Sequence, residues 1–290
     1  MKTPWPHARG FMKRPRHPSH SSRLRRAWAA AFLAAAAPPS AAPAQTDYYN
    51  TDAGRPIRIE DAYPVERRAF EIQAAPLRLE RARGGIYHWA IEPELAFGVL
   101  PRTQLEVGFP LVYVDAGLAG RAAGLAGVAV SALHNLNVET TMPALGVAAS
   151  ALLPAGGLGP DRAYVSAKGI VTRTFAWARF HVNGEYTFGS RPGGDGDGSA
   201  DTPELSRWMA GMAVDRTFPL RSMLVTAELF AREPLSRGAD VDWSAGAGVR
   251  YQLSPRWAID GGAGRRLTGD DRPWYVTFGS AYAFGLPWSR

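Results

Sequence analysis

Thr277-Phe278-Gly279-Ser280-Ala281-Tyr282-Ala283-Phe284 is the stretch that decides how the rest of the chain is read. Extended as a strand, it sends Phe278, Ser280, Tyr282 and Phe284 to one side and Thr277, Gly279 and Ala281 to the other. Trp274 and Val276 continue the first side upstream. One face is then almost wholly aromatic or apolar, and the other is small or weakly polar. The aromatic face calls for an apolar surrounding; the small face calls for something tight or wet. The competing reading is a terminal strand of an ordinary soluble sheet, so the remaining sequence must choose.

Working back to the start, residues 1–44 read as a leader. A basic run, Arg23-Leu24-Arg25-Arg26, precedes an apolar core from Ala27 to Ala37, then Pro38-Pro39 and the small-residue site Ala42-Pro43-Ala44. This is the pattern of a secretory signal peptide cut after Ala44, with Met1 or Met12 as the start. The leader also explains the basic pI. Eight of the 33 Lys and Arg residues lie in it with no acid, leaving 25 against 26 Asp and Glu. A near-neutral mature chain gives no support to nucleic-acid binding. There is no Cys, so an exported chain of this length gains nothing from disulfides. Residues 45–67 are polar and turn-rich, and fit either a flexible periplasmic arm or a plug folded into a lumen. Residues 68–286 fit one all-β domain, with 287–290 as a tail.

From Phe70 onward the chain alternates, segment after segment. Tyr87, Trp89, Ile91, Pro93, Leu95, Phe97 and Val99 share one phase, and His88, Glu92, Glu94 and Gly98 the other. Leu105, Val107, Phe109, Leu111 and Tyr113 oppose Gln104, Glu106 and Gly108; Phe180, Val182, Tyr186 and Phe188 oppose Arg179, His181, Asn183 and Glu185. About twelve such segments predict a transmembrane antiparallel β-barrel, because in hydrocarbon every strand edge must be paired. Trp89, Tyr113, Trp177, Trp208, Trp243, Trp257, Trp274 and Tyr282 fall near segment ends, as interfacial girdles do. Connections alternate between tight ones, such as Leu100–Thr103 and Leu253–Arg256, and longer ones at 115–124, 155–162, 190–206 and 234–240. The tight set is expected on the periplasmic side, with both termini, and the long set outside; Gly193–Gly198 would belong to the longest outer loop. The polar phase nominates Glu92, Glu94, Glu106, Lys168, Arg179, His181, Glu185, Asp215, Glu228, Arg250, Asp260 and Arg266 as lumen-facing.

Two resemblances bear on identity. The spacing polar-x-Gly-x-x-aromatic-x-aromatic at Thr277, Gly279, Tyr282 and Phe284 resembles the C-terminal assembly signal of bacterial outer-membrane barrels, although six residues follow it here. Glu94 to Pro110, with Gly98, Pro101, Gly108 and Phe109, resembles the opening hairpin of the outer-membrane family of the MetA pathway of phenol degradation. Leu253 to Asp270 resembles that family's penultimate hairpin. The resemblance implies a Gram-negative outer-membrane barrel linked to passage of small, often aromatic molecules. Its partners would be outer-membrane lipid, the barrel-assembly machinery and a small-molecule solute, and the barrel would be a monomer.

Other chemistry is thinly represented. The mature chain keeps only His88, His134 and His181, with no Cys and no metal-ligand spacing, so neither a metal nor another cofactor is expected. His181 and Asn183 share a face but no Ser lies within a strand step, which argues against a hydrolase. Asp195-Gly196-Asp197 with Asp201 lacks the terminal Glu of a calcium loop. The expected function is passive passage or binding of a small solute, which the family resemblance implies to be aromatic or hydrophobic. A structural or adhesive barrel is the alternative, and a lipid-modifying enzyme a weaker one.

Overall fold

The computed structural model describes residues 51, 52, 54–81, 85–189, 205–235, 240–270 and 272–285. The expected leader, the Gly193–Gly198 loop and the C-terminal tail lie outside them. Twelve antiparallel strands form one closed barrel: β1 (Ala69–Arg81), β2 (Tyr87–Leu100), β3 (Thr103–Gly108 and Leu111–Asp115) and β4 (Arg121–Leu125 and Val128–Asn135). Then follow β5 (Ala144–Leu153), β6 (Tyr164–Thr174), β7 (Arg179–Phe188), β8 (Ser206–Thr217), β9 (Met223–Pro234), β10 (Asp242–Ser254), β11 (Trp257–Arg266) and β12 (Trp274–Gly285). Each pairs with its sequence neighbours, and β1 pairs with β12 to close the ring. Gly117–Ala119 forms a short helical turn between β3 and β4.

Strands β3 and β4 are each interrupted once. Pro110 has no N–H to give, and its carbonyl takes the Ala126 N–H at 2.8 Å, while the Phe109 N–H reaches Pro93 O at 3.0 Å. Three residues of β4 (126–128) oppose two of β3 (109–110), a bulge that bends the wall there. The pairing of Leu111–Asp115 with Arg121–Leu125 also corrects one sequence expectation. The long linker read at 115–124 is a five-residue turn at 116–120, because small residues such as Ala122, Ala123 and Gly124 continue the hairpin. The connection at 136–143, on the tight-turn end, is longer than its counterparts.

The alternation resolves into an inside-out distribution. Val182, Phe188, Met212 and Phe278 are more than half exposed on the outer face, at 51, 53, 58 and 57 %. Glu71, Gln73, His181, Asn183, Asp215, Arg250 and Asp260 are buried inside. A water-soluble sandwich or barrel would bury the first set and expose the second. Here the apolar surface belongs to a hydrocarbon solvent and the polar groups satisfy one another inside. The strands run from 10 residues in β5 and β7 to 14 in β2, with the interrupted β3 and β4 of similar overall reach, enough to span the apolar core at a tilt. Phe97, Phe70 and Phe284 stack across β2, β1 and β12, with centroids 4.3 and 5.4 Å apart, so aromatic faces reinforce the closing seam from outside.

Val182 lies between the aromatic belt at Trp177 and Phe180 and the one at Tyr186 and Phe188. Val182→Arg is expected to cost about 2–4 kcal/mol of folding free energy in a bilayer. Reversible urea unfolding in lipid vesicles measures it; a cost near zero would mean this face does not meet hydrocarbon.

Candidate lumen site

Residues 51, 52 and 54–68 run inside the barrel, and their lack of a regular element poses a problem that the wall solves. Backbone groups removed from water need partners. Taken in chain order, the segment finds them around the circumference. Asp52 pairs with Arg250 of β10 at 3.0 Å, and Arg55 lies 3.8 Å from both Asp260 of β11 and Glu71 of β1. The Thr277 hydroxyl of β12 donates to Pro56 O at 3.0 Å. Glu228 of β9 accepts the Arg58 and Ile59 N–H groups at 2.8 and 3.0 Å. Asn183 of β7 accepts the Glu60 N–H at 2.9 Å and donates to Glu60 O at 2.8 Å. Thr172 of β6 accepts the Ala62 N–H at 3.0 Å, and Asn135 of β4 donates to Ala62 O at 2.9 Å. Gln104 of β3 accepts the Val65 N–H at 2.6 Å, and the Arg68 N–H reaches Gly98 O of β2 at 2.7 Å. From Pro56 onward the segment follows the inner wall in descending strand order until it becomes β1.

Glycines make the room. A Cβ on Gly248 would lie 2.6 Å from the Pro56 Cβ, one on Gly262 2.6 Å from Pro56 O, and one on Gly211 2.7 Å from the Ile59 Cδ1. Gly98 and Gly146 likewise face Glu66 and Ala62. A glycine inside a strand marks such close approaches, and that signal was present in the sequence without saying what approaches. Small apolar contacts complete the fit: Ile57 and Ile59 pack with Met209, Ala213 and Phe230, and Ala62 with Leu133, Ala144 and Ile170.

The nominated polar residues separate into groups. Arg179 holds Asp215 through two bonds of 2.9 and 2.8 Å. His181 Nε2 lies 2.9 Å from Asp215 Oδ2, and its Nδ1 lies 3.0 Å from the Thr172 hydroxyl. With the proton on Nε2, the imidazole donates to Asp215 and accepts from Thr172. This hydroxyl-imidazole-carboxylate chain has the connectivity of a catalytic relay, and Thr172 was missed when only Ser was sought. Its hydroxyl is fully buried and already accepts the Ala62 N–H, so no reacting carbonyl has a place beside it. The relay seats the segment. Arg250 and Asp260 join Arg55, Asp52 and Glu71 in a second buried network. Arg266 stands apart, pairing with Asp242 at 3.4 Å near the loop end.

Glu92, Glu94, Glu106, Lys168, Glu185 and Glu228 line a cavity of about 270 Å³ in the loop-side half, floored by Pro56, Ile57, Arg58 and Glu60. Lys168 bridges Glu60 at 2.8 Å and Glu185 at 3.6 Å, tying floor to wall. Glu106 accepts from Gln104 Nε2 at 2.8 Å and the Ser131 hydroxyl at 2.7 Å. Val112, Leu133, Ala148, Leu152 and Met209 supply its apolar lining. Two contributors escaped the sequence reading: Tyr275 donates to Glu228 at 3.3 Å, and Arg78 lies 3.8 Å over the Tyr275 ring. Of the proposed assembly residues, Thr277 holds Pro56, Gly279 faces inward, and Tyr282 and Phe284 stack on the outer face.

Beyond the turn-side rim, the Tyr63 hydroxyl donates to Glu139 at 3.2 Å. Burial pushes the Glu139 carboxyl up, but the Thr174 N–H and hydroxyl, Tyr63 and Arg173 outweigh it and hold the group below its ordinary value.

No protein-family model matches the chain, and no curated protein does. Among solved structures it is similar to an outer membrane channel from Pseudomonas putida F1, with a TM-score of 0.55 and 12 % identity over 81 % of this chain and 100 % of that one. It is also similar to the KdgM porin, with a TM-score of 0.47 and 14 % identity over 74 % of this chain and 99 % of that one. The fold shared with the first of these is a closed antiparallel β-barrel of the outer-membrane type. At such identities the likeness concerns the fold, and the resemblance to the phenol-degradation family has no matching family model behind it.

Asn183→Leu removes both bonds to Glu60 from a buried site, at about 1–3 kcal/mol for each group left unpaired. Hydrogen exchange in residues 56–65 is expected to accelerate while the strands stay protected. Equal protection in the two proteins would show that Asn183 does not hold the segment.

Proposed function

We propose that this chain is a bacterial outer-membrane barrel for passive passage or binding of a small solute, with residues 51–67 as a plug. The observation that carries the reading is the divided lumen. The segment occupies most of the turn-side half, and above it remains a cavity of about 270 Å³ with carboxylates, Lys168 and an apolar wall. That volume suits a compact molecule of one or two rings, and the apolar lining suits an aromatic or hydrophobic one. It is consistent with the family resemblance of Glu94–Pro110 and Leu253–Asp270. Charges of both signs in the lumen argue against a wide pore for one sign of ion. In this reading the tight turns and both ends of the barrel chain face the periplasm, and the longer connections face outward.

The filled turn-side half favours one other reading, a structural barrel without transport. Flux separates the two. Reconstituted wild-type protein is expected to pass small aromatic solutes slowly in liposome assays. Gly248→Val, which intrudes on Pro56, is expected to raise ion conductance several-fold by displacing the plug. A barrel that stays closed to every solute in both forms, while remaining folded, would favour the structural role.

A further inference from the structure

The outer face at the loop end carries a row of residues that the lumen does not explain. The strand registers place them side by side: Arg265 on β11 opposite Trp274 on β12, and Trp274 opposite Arg81 on β1. Arg81 in turn stands opposite Tyr87 on β2, Tyr87 opposite Asp115 on β3, and Asp115 opposite Arg121 on β4. All six have the outward phase. One step down each strand lie Leu79, Val276, Ala263 and Trp89, the top of the apolar band. The row therefore sits where hydrocarbon gives way to headgroups.

Its cations are unusually uncommitted. Arg81, Arg265 and Arg272 are exposed, and among the described residues none has a carboxylate partner. Arg265 and Arg272 bond through Nε to the Arg272 and Gly269 carbonyls at 3.3 Å each, and among the described residues their terminal guanidinium nitrogens take no hydrogen-bond partner. Arg81 lies over the Tyr87 ring at 5.8 Å. The one carboxylate of the row, Asp115, is engaged by Arg121 at 3.2 Å. Arg81 and Arg265 flank Trp274 at two strand spacings, on the order of 10 Å. A pair of guanidinium forks at that separation, with an indole between them, matches two phosphates carried on one sugar headgroup above acyl chains.

We propose that this Arg–Trp–Arg–Tyr row binds the phosphates of lipid A in the outer leaflet, with Arg272 as a third donor. The proposal rests on the outward placement of the loop end, so its test is made on the isolated barrel, where sidedness plays no part. Folded protein in detergent is mixed with bis-phosphorylated lipid A, the same lipid dephosphorylated, or phosphatidylglycerol, and retention is read by native mass spectrometry. Selective retention of the bis-phosphorylated form is expected. R81Q/R265Q should lower it by about tenfold or more, R81K/R265K less, and R216Q, outward-facing at the opposite end, should leave it unchanged. Heat-modifiable migration on gels confirms that each variant is folded. Equal retention of the dephosphorylated lipid or of phosphatidylglycerol, or an R81Q/R265Q variant that binds as wild type, overturns the proposal. Surface labelling in cells reads the sidedness separately: lipid A binding without outward exposure of the loop end would overturn the topology and not the site.

Discussion

A backbone buried against the inner wall of this barrel has given up much of its contact with water, and that constraint shapes the structure. The wall meets it by closing β1 onto β12. The irregular segment before β1 cannot meet it alone, so wall side chains stand in as its hydrogen-bonding partners. This explains why the inner face is so rich in groups that both donate and accept or that take two N–H bonds, such as Asn183 and Glu228. It also explains why so many inner positions are glycine, since a chain lying flat on a wall needs the Cβ layer removed.

The charges follow the same logic. Arg55 is wholly buried, with Asp52, Glu71 and Asp260 around it. A buried ion pair of this kind adds little against an apolar replacement of the whole set, yet losing one member leaves a charge stranded. Such networks specify one seating of the segment more than they stabilise it. The Thr172–His181–Asp215–Arg179 chain does the same further round the wall.

Much of the wall was legible because its period is two and its environment is reversed. The alternation at Tyr87–Val99 and Phe180–Phe188 placed Trp89 and Val182 outside and Glu94 and Asn183 inside with no knowledge of neighbours. The strand breaks at Pro110 and Gly127 were less legible, since alternation persists through Phe109 and Leu111 while the pairing is interrupted. The path of residues 51–67 was not legible at all. Pro56, Arg58 and Glu60 look like any loop, and their partners Thr277, Glu228 and Asn183 lie 221, 170 and 123 residues away in sequence. Nor does a phase assignment tell a free lumen carboxylate from one that holds a backbone, which is the difference between Glu94 and Glu228. Tyr275 was hidden for a related reason: an inward aromatic breaks the pattern that identified the strand.

The circular path of the segment has a consequence for the order of events in biogenesis. Residues 52–66 are synthesised before any strand, but the surface they bind is drawn from both ends of the sequence. Pro56 waits for Thr277, 221 positions later, and Asp52 for Arg250, 198 positions later. Contacts so distant form late, because the loop between them must close first. The segment that precedes β1 is therefore the last to find its place, and its seating registers that the ring has been completed.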